Sequence, residues 1–273
     1  MISVPIIQTV MRVCCALILI GLGWLCLQGI MPWPSDSDFV ADSVVVTIGI
    51  AQGIVFLVSA ILVSIRSRNK WFNRSYILIS CNLIVFCFLK YLNAQSGIGH
   101  FLEHAAQFCS PFLLFLIVRE SPSNSNENFA PGSKWGRVAV ASISSAFIFH
   151  GLLAMDIPHS IQFFDHQRPQ HFNDMVRLCL PLSEQVANLF LVTVGVLDIL
   201  AVIVLVFAVQ YWKRIALQYM CFWGFATSLA RPWSFFDASN IGMSIHRWLP
   251  EMLLRSPHFL LPLCLLIILK KRP

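Results

Sequence analysis

A chain of 273 residues that is 57% apolar, with 22 Phe and only 12% charged residues, has too little polar surface to cover a water-soluble core. Its mean hydropathy is +0.73. The net charge of +6 is gathered at the ends of apolar runs, which is the distribution of a chain that crosses about 30 Å of hydrocarbon repeatedly and leaves no basic face for nucleic acid.

Eight spans are predicted in chain order, at about 10–31, 44–65, 76–92, 101–118, 138–155, 186–211, 215–230 and 250–269. The first lies in "MISVPIIQTVMRVCCALILIGLGWLCLQGIMPW", which has no cation before Arg12 and no small-x-small cleavage site, so it reads as a retained span. It and the second carry Gln28, Gln52, Gly21, Gly49 and Gly53, and they read as scaffold helices in close small-residue packing. The third is short and ends near Lys90, which is expected to snorkel to the interface.

The fourth span holds "GHFLEHAAQF". His100, Glu103, His104 and Gln107 recur at i, i+3, i+4 and i+7, so on a helix they form one polar stripe. Ionisable groups facing lipid cost several kcal/mol, so the stripe must face protein or a wet cavity. The linker "RESPSNSNENFAPGSKWGR" follows, and the fifth span then brings His150 and Asp156 to the same outer layer. Roughly thirty residues separate the fifth and sixth spans, and "HFNDMVRLCL" within them reads as an interfacial helix.

Glu184, Asn188, Gly195 and Asp198 share a face of the sixth span, which places Asp198 about 18 Å into the membrane by helical rise. The seventh carries Gly224, Thr227 and Arg231 on one face, and Arg231 at that depth is expected to pair with Asp198. In the eighth, Pro250 suits a first helical turn, whereas Pro257 and Pro262 predict a break.

Orientation follows from the cations. Arg66, Arg68, Lys70, Arg74, Arg119, Lys134, Arg137, Lys213, Arg214, Lys270, Lys271 and Arg272 fall on one face, twelve in all. Six fall on the other: Lys90, Arg168, Arg177, Arg231, Arg247 and Arg255. Both termini are therefore expected to be cytoplasmic. The fold class is an all-α polytopic bundle, one integral domain over 1–273 in a plasma or inner cell membrane. The nine cysteines include no C-x-x-C pair and read as small buried hydrophobes.

The polar residues converge on an outward-facing pocket among the fourth to eighth spans, and its expected members are the stripe residues with His150, Asp198 and Arg231. A small solute or a proton is the partner such a pocket suits, beside the lipid itself. His100-x-x-Glu103-His104 also satisfies H-x-x-E-H, which makes His100 and His104 candidate Zn²⁺ ligands with a third from His150, Asp156, His159 or His258. Haem between facing histidines, beside Gly97 and Gly99, is a further reading. A structural hydrogen-bond network without ligand is the last.

Overall fold

The computed structural model describes residues 4–29, 42–67, 69–93, 98–120, 133–156 and 170–269. Most of the acidic first connection, the middle of the linker, His159, His166, Arg68, Arg168, Gly97 and the basic end Lys270, Lys271 and Arg272 lie outside the described residues, as does the side chain of His171.

The described residues fold into α1 (Val4–Leu27), α2 (Asp42–Ser64), α3 (Lys70–Asn93), α4 (Ile98–Glu103), α5 (Ala105–Glu120), α6 (Lys134–Met155), α7 (Gln170–Cys179), α8 (Glu184–Phe207), α9 (Gln210–Ser234), α10 (Ile241–Leu254) and α11 (Pro257–Leu269). Seven segments are long and apolar enough to cross a membrane: Pro5–Leu27, Ser43–Ser64, Lys70–Leu92, Ile98–Arg119, Lys134–Met155, Glu184–Phe207 and Ala238–Leu269. The protein is a helical membrane bundle. Of the eight predicted spans, the one at 215–230 is missing from this set. It lies in α9, whose 25 residues are long enough but include Gln210, Lys213, Arg214 and Arg231.

The first helix is the hub of the bundle. It packs on α2, α5, α10 and α11, and Met11, Cys14, Cys15, Ile18 and Leu19 are fully buried along it. Glycine allows the closeness: a Cβ on Gly21 would stand 2.6 Å from the Pro250 carbonyl oxygen, and one on Gly53 would stand 3.0 Å from that of Gly23. Arg12 is buried for a structural reason. Its Nη1 donates to the carbonyls of Val63 and Ile65, each at 2.7 Å, and to the Tyr76 hydroxyl at 2.9 Å, which satisfies the end of α2 where intrahelical donors run out.

Two helices are discontinuous. The predicted fourth span turns at His104, whose ring N–H donates to the His100 carbonyl at 2.7 Å, so one side chain competes with the backbone for that acceptor. The expected proline break in the last span falls earlier than Pro257, at Arg255 and Ser256. Their amides donate to the carbonyls of Met252 and Leu253 at 3.1 Å, and Pro257 then starts α11 without an N–H to satisfy.

"HFNDMVRLCL" is helical, as expected. Its amphipathic face is buried: Phe172 and Met175 pack with Leu153 of α6 and Leu191 of α8. Asn173 Nδ2 donates to Asn188 Oδ1 at 2.7 Å, and the Ser234 hydroxyl donates to the Met175 carbonyl at 3.1 Å, so α7 is fastened to both α8 and α9.

Candidate functional site

The predicted single pocket is two adjoining cavities. A polar one of about 220 Å³ takes residues from both broken helices and from the ends of α3 and α9. An apolar one of about 440 Å³ lies among α6, α7, α8 and α9. Phe172 and Arg255 line both.

All four stripe residues, His100, Glu103, His104 and Gln107, line the polar cavity, and so does Arg231. Glu103 is 5% exposed and accepts a hydrogen bond from His100 Nδ1 at 3.2 Å. The Asp198–Arg231 pair does not form. Arg231 donates to Glu251 of α10 instead, and Asp198 is fully buried elsewhere, accepting from His150 Nδ1 at 3.0 Å and from the Tyr219 hydroxyl at 2.8 Å. Two groups expected at one depth meet only if their helices turn those faces together.

What turns the faces here is glycine. A Cβ on Gly151 would lie 2.7 Å from the Gly195 carbonyl oxygen, and one on Gly195 would lie 2.6 Å from that of Gly151. The α6 and α8 backbones thus touch one residue from His150 and three from Asp198, which brings those side chains within bonding range. With Nδ1 bonded to the carboxylate, the His150 ring also lines the apolar cavity. Asp156 is exposed and caps α6 in the left-handed conformation, φ 56°.

Three groups that sequence reasoning passed over complete the polar cavity. Lys90, exposed near the end of α3, lines it, and Arg255 and Glu251 join from α10 and the break after it. Among the described residues neither Lys90 nor Arg255 donates a side-chain hydrogen bond or forms an ion pair, although both belong to a site with only two carboxylates, Glu103 and Glu251. His258, 6% exposed, donates from Nδ1 to the Arg255 carbonyl at 3.2 Å, which leaves Nε2 as an acceptor with no partner. The Oε1 of Gln107, 3% exposed, is also unpartnered. The backbone of α9 approaches the His258 carbonyl so closely at Gly224 that no Cβ fits there, which fixes where His258 lies.

No protein-family model, curated protein or solved structure matches this chain.

Among the described residues no group of three His, Cys, Asp or Glu side chains is disposed to hold a metal ion. His100 and His104 come together, with ring centroids 6.1 Å apart, and each Nδ1 is bonded, to Glu103 and to the His100 carbonyl, so the Nε2 atoms are the ring nitrogens left to a ligand. The polar cavity gathers three cations, Lys90, Arg231 and Arg255, against two carboxylates, Glu103 and Glu251, beside Gln107 and His258, which each keep an acceptor atom without a partner.

Proposed function

We propose that this is a multi-pass membrane protein that binds a small anion in the polar cavity, and that the anion is a phosphate group. The convergence of Lys90, Arg255, His258 and Gln107 carries the reading. The three cations outnumber the two carboxylates, and a phosphate oxygen is a partner that neighbouring Lys and Arg side chains suit. An ionised carboxylate ligand has no proton to give. A monoprotonated phosphate offers anionic oxygens to Lys90 and Arg255 and its single O–H to one of the two acceptors, His258 Nε2. The two helix breaks, at His104 and at Arg255–Ser256, border the same cavity, an arrangement that recurs where membrane proteins hold solutes.

We further infer eight crossings, with both ends cytoplasmic and the polar cavity toward the outer side. α9 packs along α8 and α11 and is joined to α8 by Ala208 and Val209 alone, so it returns across whatever α8 crosses. Its length of about 37 Å, at 1.5 Å per residue, is sufficient. This reading also accounts for three of the six cations that oppose the charge bias. Lys90, Arg231 and Arg255 serve the cavity, not the topology.

Calorimetric titration of the purified protein in maltoside micelles with inorganic phosphate tests the site. Saturable binding, weakened at least tenfold by Lys90→Met or Arg255→Met, is expected. Equal heats from wild type and both variants would refute it.

A further inference from the structure

The polar cavity does not end against protein. Arg255 and Phe172 line it on one side and line the apolar cavity on the other, so a group held by the guanidinium has hydrocarbon-lined space directly beyond it. That second space has a volume of about 440 Å³, within the range that small-molecule sites occupy. Its walls are Leu191 and Val194 of α8, Trp223 and Ala226 of α9, and Met175 and Val176 of α7. These have no use for a phosphate. Of these walls, Trp223 packs edge-on against Phe190 with ring centroids 6.0 Å apart, and α7 is pinned by Asn188 and Ser234.

We propose that the ligand is a phosphate monoester of a long hydrocarbon chain, with its phosphate in the polar cavity and its chain in the apolar one. This rests on the phosphate reading above and deepens it. Charge and greasiness are then both accounted for: the cations take the head, the walls of α7, α8 and α9 take the tail, and Arg255 marks the junction. Burying methylenes is favourable in proportion to their area, so most of the affinity gained by a longer chain belongs to the apolar cavity.

The test compares inorganic phosphate, butyl phosphate and dodecyl phosphate on the full chain in maltoside micelles, with dodecanol as the uncharged control and Ala226→Phe as a variant that fills the apolar cavity. Dodecyl phosphate is expected to bind wild type at least tenfold more tightly than Ala226→Phe, while inorganic phosphate binds the two within twofold. Dodecanol is expected to be a weak ligand of both. A second readout uses 12-bromododecyl phosphate, whose bromine quenches nearby indoles. Saturable quenching that Trp223→Phe reduces supports the placement even if Ala226→Phe fails to fold. If Ala226→Phe leaves dodecyl phosphate binding unchanged, or quenching is indifferent to Trp223, while inorganic phosphate still binds, the chain placement is overturned and the phosphate site stands. If neither inorganic phosphate nor any alkyl phosphate binds wild type, both fall.

Discussion

Removing one hydroxyl from the buried cluster around Asp198 tests how that cluster is held. Tyr219→Phe keeps the ring and its packing but deletes the O–H that donates to the carboxylate at 2.8 Å, leaving His150 Nδ1 at 3.0 Å as the remaining donor. In a water-soluble protein a hydrogen bond to a charged acceptor is worth about 1.5–3 kcal/mol. Between membrane helices the measured average is about 0.6 kcal/mol and the largest about 1.7, because a helix separated within the bilayer finds other partners. Asp198 is fully buried, so the expected loss lies near the upper membrane figure, about 1–2 kcal/mol. The assay is unfolding in mixed micelles as the fraction of dodecyl sulfate rises, followed by tryptophan fluorescence, for wild type, Tyr219→Phe, Asp198→Asn and the double variant. The two changes act on one bond, so their costs are expected to be non-additive by about 1 kcal/mol. Additivity within about 0.3 kcal/mol, or a Tyr219→Phe protein as stable as wild type, would show that the hydroxyl and the carboxylate are not coupled.

Gly195→Ala places a Cβ 2.6 Å from the Gly151 carbonyl oxygen, so the α6–α8 seam must open, at a cost of about 1–3 kcal/mol in the same assay; unchanged stability would refute the backbone contact. Arg255→Met removes a cation that has no ion-pair partner among the described residues, so in ligand-free protein it is expected to leave stability unchanged or raise it, while phosphate binding falls; a large destabilisation would mean that Arg255 is a structural group. For topology, Ser67→Cys and Ser239→Cys are expected to react with an impermeant maleimide from opposite sides of the membrane. Labelling from the same side would remove α9 from the crossing helices.

The apolar runs made the helices legible, because a bilayer demands long uncharged segments with every backbone group paired internally. The membership of the polar cavity was legible for His100, Glu103, His104, Gln107 and Arg231, since a stripe of ionisable groups has only inward places to go. Azimuth was not legible. The partner of Arg231 is Glu251, which lies where the last apolar run starts and reads there as a boundary residue, and Asp198 belongs to His150 because Gly151 and Gly195 bring α6 and α8 together. Lys90, Arg247 and Arg255 all look alike in a topological count, and nothing in their neighbours along the chain says which one turns into a cavity. The usable signal was their placement against the charge bias, at the edges of spans.

The glycine contact between α6 and α8 has a mechanical meaning. Two helices whose glycine carbonyls rest against each other's Cα with no side chain between them have nothing compressible to give, so the pair behaves as a single spar carrying His150 and Asp198 at fixed separation. Any gating stroke that admits a guest must therefore come from the other walls, from the α10–α11 elbow at Arg255 or from α7 lifting off its two side-chain latches.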